Sequence, residues 1–371
     1  MRKSFSFPRE SSEMIKGVAI LLMLFHHFFG FPNWYVEGVS YIGVPLRVNT
    51  AEYVLGQFGH ICVGIFAFLT GYGMFFSYKN GGSYIKSLKK LLRFWIGYLL
   101  ILFAVAIPLH FFVGNTDITL KLIFKNMFGY DTTLVPFGWY IRFYIAVMLT
   151  LPLINRIMPK NSFLGVLCCL AIPFIINLSL SKVLGTSQFV IKTVAYTMEY
   201  FLWLPCVLMG LCFAKYGLFE KIDKGFGKLK KGEHIVCIIL LLAIMYLRAY
   251  KEDAIGTVIF SFDSFYVPLF VYLCAKYLNY AHGIIKKILM CLSRHSANIW
   301  FLHSMFFFGT SALMKYAFLP KVSVLIVLWV ICLCLPVSVV LRAVLKRIFP
   351  ERKVKEQAKT EEEEKVLVLR G

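Results

Sequence analysis

The stretch 14–31, MIKGVAILLMLFHHFFGF, decides how the rest of the chain is read. A helix rises 1.5 Å per residue, so about 20 apolar residues cross a ~30 Å hydrocarbon core, and this run approaches that length. Its basic start suits a secretory signal, but no small-residue cleavage site follows and many further apolar runs come after it. It is therefore expected to be a retained first transmembrane helix.

Runs of similar length recur at 54–78, 92–113, 136–154, 163–181, 194–213, 235–250, 255–275, 296–314 and 322–345. The expected fold is an all-α, polytopic membrane bundle of about ten transmembrane helices, with the N- and C-termini cytoplasmic. Composition agrees: of 371 residues, 59% are hydrophobic and 16% charged, and the mean hydropathy is +0.72. A water-soluble domain of this length needs more polar surface, so the lipid bilayer is the expected solvent.

Charge placement fixes the direction of the helices. The net charge is +21, which in a soluble protein suggests nucleic acid. Here 30 of the 40 Lys and Arg fall on the segments that share a side with the N-terminus, 9 fall on the opposite side, and Arg142 lies within a run. That alternation is the positive-inside pattern of a multi-pass protein in the cytoplasmic membrane, and no nucleic-acid partner is expected. Residues 1–349 read as one transmembrane domain. Residues 350–371, with Glu361 to Glu364, read as a charged cytoplasmic tail.

Ten cysteines lie almost entirely in apolar runs, with no Cys-x-x-Cys pair and no zinc spacing, so they read as core residues and no metal site is expected. Neither a Walker loop nor a glycine fingerprint is present, which argues against transport driven by nucleotide bound to this chain.

Ionisable residues inside apolar runs cost a few kcal/mol each, so they are the candidate functional groups. They are His26, His27, His60, Arg142, Glu199, Asp263 and His303, with Lys16 at the inner edge of the first run. Lys16 and His27 are eleven residues apart, three turns plus about 20°, and share a helix face roughly 16 Å apart along the axis. Arg142, Glu199 and Asp263 are expected at the depth of His27, where they either neutralise one another or line a polar pocket with it. His303 falls in the inner third of its run and His60 near the outer mouth of the second.

Several segments together resemble the acyltransferase 3 family of integral membrane acyltransferases, which decorate bacterial surface polysaccharides. Lys16 and His27 stand where the family carries Arg-x10-His, although lysine lacks the bidentate contacts of arginine. Val63 to Tyr72 is similar to an apolar run closing in Ser-Gly-Phe, and Lys89, Lys90 and Arg93 before Phe94-Trp95 are similar to a basic helix entry. Gly138-Trp139-Tyr140 resembles a Trp-Phe segment, and Ser293 with Ile299 to His303 resembles Ser followed by Tyr-Leu-Ile-His.

The resemblance implies an acyl-coenzyme A donor, commonly acetyl-CoA, and an acceptor hydroxyl on a glycan of the cell envelope. His27 is then the expected catalytic base or nucleophile, with Asp263 or Glu199 assisting. Lys16, Lys89, Lys90 and Arg93 are the expected cations for the polyanionic donor, though positive-inside topology accounts for the same four residues. Arg142, His26, Trp139 and His303 are expected to line the substrate pocket. Besides the lipid bilayer, the coenzyme A thioester and the glycan acceptor, a glycan synthase is a conceivable partner. A polysaccharide or lipid-linked sugar exporter is the competing reading, using the same pocket as a path.

Overall fold

Backbone placed in lipid has no water to bond, so each apolar run closes its own hydrogen bonds as a helix. The computed structural model describes residues 5–79, 84–114, 117–183, 187–250, 261–308 and 311–350. The chain begins with α1 (Arg9–Phe29) and a loop with one 3-10 turn, Pro32–Trp34, and continues into α2 (Ala51–Gly59) and α3 (Ile61–Lys79). Next, α4 (Tyr84–Ile101) passes through a π-helical turn, Leu102–Ala106, into α5 (Ile107–Phe112), whose Pro108 has no N–H to continue the ladder. A short α6 (Leu120–Met127) precedes α7 (Trp139–Ile157), α8 (Ser162–Leu180) and α9 (Gln188–Tyr216). Gly217, at φ +60°, turns α9 into α10 (Leu218–Gly227), and α11 (Glu233–Tyr250) follows. The last described helices are α12 (Asp263–Leu278), α13 (Gly283–Leu302), α14 (Met305–Phe308), α15 (Ser311–Ala317) and α16 (Ser323–Ile348).

Among the described residues, eight helical stretches are long and apolar enough to cross a membrane: Arg9–Phe29, Ala51–Lys79, Tyr84–Phe112, Trp139–Ile157, Ser162–Leu180, Gln188–Tyr216, Glu233–Tyr250 and Ser323–Ile348. Each overlaps one of the expected runs, and the chain is a multi-pass, all-α membrane protein. The two other expected runs look different. That at 255–275 corresponds to α12, 16 residues long, and its first residues, 255–260, lie outside the described ones. That at 296–314 is broken at His303 and Ser304. There the Ser304 hydroxyl donates to the Phe301 carbonyl at 2.6 Å and His303 Nδ1 lies 2.8 Å from the Ile299 carbonyl. Side chains thus add bonds to carbonyls of the last turn of α13, and that helix begins earlier than expected, at Gly283. The expected tail, apart from Pro350, also lies outside the described residues.

The core forms around α1, which packs against α2, α3, α12 and α13. Its Ile15, Ala19, Ile20, Met23, Leu24 and Phe28 are fully buried. Because lipid tails are as apolar as leucine, close van der Waals fit holds such helices together, and small residues permit it. A Cβ at Gly17 would overlap the Leu289 backbone of α13. One at Gly71 or Gly210 would overlap the opposing backbone where α3 meets α9. By contrast, Phe163, Leu167, Ile172 and Ile175 of α8 are exposed, as lipid-facing side chains are.

The loop after α1 is tied down by one buried carboxylate. Glu52 accepts from the Val44 N–H at 3.0 Å and from the Ser323 hydroxyl at 2.9 Å, which joins the loop, α2 and α16. A bridge between Ile42 and Val322 and a Tyr41–Thr50 hydroxyl bond of 2.8 Å reinforce it. Removing either side of such a buried bond strands the other at about 1–3 kcal/mol.

Candidate active site

His26 and His27 close the last turn of α1, and both are buried. The packing of α13 on α1 brings His303 against them, so that His303 Nε2 lies 2.8 Å from His27 Nδ1 and the rings stack with centroids 4.9 Å apart. The proton positions follow from the neighbours. The Ile299 carbonyl can only accept, so His303 Nδ1 carries its hydrogen and, in the neutral ring, Nε2 is the acceptor. His27 Nδ1–H then donates to it, and the lone pair of His27 stands on Nε2. Phe137 covers both rings, at centroid distances of 3.8 Å from His27 and 5.2 Å from His303, and its carbonyl accepts from the Trp300 indole at 3.3 Å.

A second line of contacts runs from His26. Its Nδ1 donates to the Gly56 carbonyl at 2.8 Å, its ring lies 5.0 Å from that of His27, and it stacks on His60 at 4.8 Å. The Arg248 guanidinium donates to His60 Nδ1 and forms an ion pair with Asp263, with Nε 2.8 Å from Oδ1. Asp263 is fully buried, and Arg248 neutralises it within the apolar interior.

Arg142 and Glu199 form a separate region between α7 and α9. Arg142 pairs with Glu199, donates to the Gly129 carbonyl and lies over the Tyr196 ring, 3.9 Å from its centroid. A cavity of about 490 Å³ opens beside the pair, lined by Tyr130, Thr193, Tyr196, Thr197 and Tyr200 among others. Of the residues expected to neutralise one another or to line a pocket with His27, Arg142 and Glu199 pair with each other, whereas His27 is bonded to His303 and Asp263 is linked to it through Arg248, His60 and His26. Trp139 opens α7 and packs on Tyr140, while Phe137, two residues earlier, takes the place beside His27.

The expected cations sit towards the other end of α1. Lys16 pairs with Glu13 at 3.2 Å, and Glu13 also accepts from Ser293 of α13. Lys90 donates to Ser77 at 2.6 Å and lies within electrostatic reach of Arg9, Lys16 and Lys86. Lys90 and Arg93 line a cavity of about 290 Å³ that continues between Phe94, Tyr98, Tyr144 and Phe301. Lys89 is exposed on α4 and does not line it.

Beyond His26, the loop end holds a cavity of about 790 Å³, lined by residues from Gly30 to Gln57. Burial pushes the Tyr41 phenol there upwards, against the bond to Thr50, so it stays a neutral hydroxyl. Among the described residues, no group of three or more His, Cys, Asp or Glu side chains is arranged to hold a metal ion.

Three participants escaped the sequence reading, Arg248, Phe137 and Glu13, and so did the contact of Glu13 with Ser293. Arg248 ends an apolar run and reads as an outside charge, and Phe137 is one of 36 phenylalanines. Glu13 meets Ser293 through the packing of α1 on α13.

Fold and site together define a multi-pass membrane protein with a hydrogen-bonded imidazole pair in its core. A family model described as an acyltransferase domain matches residues 9–343, and the chain belongs to the acyltransferase 3 family. It is a membrane acyltransferase. Compared with curated proteins and with solved structures, it shows no match in either.

Proposed function

We propose that this enzyme transfers an acyl group, acetyl in the simplest case, from cytoplasmic acyl-coenzyme A to a hydroxyl of an envelope glycan on the outer side of the cytoplasmic membrane. The observation that carries the reading is the His27–His303 pair, whose hydrogen-bond order leaves a lone pair on His27 Nε2. In this reading His27 Nε2 takes the hydroxyl proton as the glycan oxygen attacks the thioester carbonyl. A C–O bond forms, the C–S bond breaks, and the imidazolium returns its proton to the departing thiolate. His303 holds His27 in the required tautomer and accepts from the imidazolium, as an orienting group does in other base-assisted acyl transfers.

The two flanking cavities suit two substrates from two sides. The Lys90 and Arg93 cavity, with Arg9, Lys16 and Lys86 within electrostatic reach of Lys90, supports a donor whose phosphates stay with the cations while its thioester arm enters between Tyr98 and Phe301. The cationic end is cytoplasmic by the positive-inside rule, and the loop end lies roughly 21 Å away along α1. Glu199 and Asp263 receive no chemical part, because neither touches His27.

Replacing His27 by Ala is expected to lower glycan acylation by about 10²-fold or more, with insertion of the protein and surface display of the glycan unchanged. Mass analysis of the surface polymer reads the acyl groups directly. Loss of the polymer itself, with acylation of the remainder intact, would establish an exporter instead.

A further inference from the structure

The cavity at the loop end has a lining unlike the rest of the molecule. Its walls carry four aromatic rings, Phe31, Trp34, Tyr41 and Tyr53, and three amide side chains, Asn33, Asn49 and Gln57, and no charged residue lines it. Phe31 lies parallel to Trp34, with centroids 4.0 Å apart and planes 8° apart, so the indole is held as a flat plate. The Gln57 amide donates to the Gly30 carbonyl at 2.6 Å, which leaves its carbonyl oxygen as an acceptor. The cavity is also anchored: Glu52 and the Tyr41–Thr50 bond fix the loop from behind, and Thr50 caps α2 through the Tyr53 N–H.

Each class of ligand meets this lining differently. A phosphate-bearing donor or lipid headgroup needs cations, and the lining offers none. A plain acyl chain needs an apolar wall, whereas the Asn33 and Asn49 amides, the Gln57 carbonyl oxygen and the Tyr53 hydroxyl would face it. A sugar ring satisfies both kinds of surface, because its C–H faces are attracted to the electron-rich faces of aromatic rings and its hydroxyls pair with amides that both donate and accept. At about 790 Å³ the cavity has room for more than one such ring. It also lies in the right place. Phe31 of its wall contacts His26 edge-on at 4.8 Å, and His26 adjoins His27.

We propose that this cavity, residues 30–57, is the acceptor subsite and binds a neutral saccharide, with Trp34 and Tyr53 stacking on sugar rings and Asn33, Asn49 and Gln57 bonding to their hydroxyls. This rests on the glycan acyltransferase reading, and binding can be measured apart from turnover. The full chain in lipid nanodiscs is titrated with chitotetraose, maltotetraose, cellotetraose and mannotetraose, and saturation transfer to the sugar protons is recorded. At least one tetrasaccharide is expected to bind. Trp34→Ala and Asn49→Ala should each weaken it by at least about tenfold. Trp34→Phe, keeping a ring, should recover most of the loss, which separates stacking from misfolding. His27→Ala should bind the sugar as the unaltered protein does. Binding that is lost in Trp34→Ala but unaffected in a fully active His27→Ala would uphold the subsite and overturn the chemistry. No binding by the unaltered chain, or equal binding by all the cavity variants, overturns the subsite.

Discussion

Two regions of this bundle place ionisable groups at membrane depth, and they solve the problem differently. The line from His303 through His27, His26 and His60 to Arg248 and Asp263 is largely sealed and covered by aromatic rings, and the Arg248–Asp263 ion pair closes its far end. Arg142 and Glu199 instead neutralise each other directly beside an open cavity. A sealed line of neutral rings keeps a lone pair available, whereas a closed ion pair uses up both of its members. Under the proposed function, the difference teaches that charge inside a membrane helix does not by itself mark the chemistry. What marks it is a polar group whose partners leave one atom unspent.

The comparison breaks most sharply at Asp263. Its carboxylate is fully buried and faces Arg248, so Asp263→Ala leaves a guanidinium without its counter-ion in the apolar interior. The expected loss is about 3–5 kcal/mol of stability, with Arg248 drawing His60 away from His26. The double variant Asp263→Leu with Arg248→Met is expected to recover most of it, since it removes both charges together. Thermal unfolding in detergent measures this, and a single variant as stable as the parent would show that the ion pair does not hold the line of histidines.

His303 gives the next largest effect. With Ala at 303, His27 Nδ1 loses its acceptor and the ring is free to take the other tautomer, for an expected fall in turnover of roughly 10²-fold. Gln at 303 offers a carbonyl oxygen near the former Nε2 and should restore about a tenth of the parent rate or more. Equal loss in both variants would mean that His303 fills space and does not orient His27. Rates against donor and acceptor concentration separate the cases, because an orienting role lowers kcat with KM little changed.

How much of this was legible beforehand follows from the length scale of each signal. Hydropathy is summed over about 20 residues, so a multi-pass helical bundle could be read from runs such as 322–345, which α16 covers. His27 could be read too, since an imidazole eleven residues from a basic residue in one run is a local pattern. The His303 contact was not legible: His27 and His303 lie on helices far apart in sequence, and nothing local tells that α13 packs on α1 with those two rings facing. Arg248 was missed for the related reason that its partners, Asp263 and His60, come from other helices. Depth along a helix can be counted from sequence, whereas the neighbour across a helix interface depends on which glycines let the backbones touch.

The smallest effect is expected in the other region, and it decides whether the division into two is real. Glu199→Gln keeps an oxygen that accepts from Arg142 and removes only the charge, beside a cavity open enough to screen the change. Arg142 retains the Gly129 carbonyl and the face of Tyr196. The expected loss is about 1 kcal/mol of stability, with turnover within roughly twofold of the parent. Arg142→Met should go somewhat further, because it leaves the partly buried Glu199 carboxylate without its counter-ion, yet it too should leave kcat nearly intact. A fall in kcat on Glu199→Gln as deep as that of His303→Ala would join the regions functionally. The cavity between α7 and α9 would then be part of the reaction path, and the sealed line of histidines would be only half of the site.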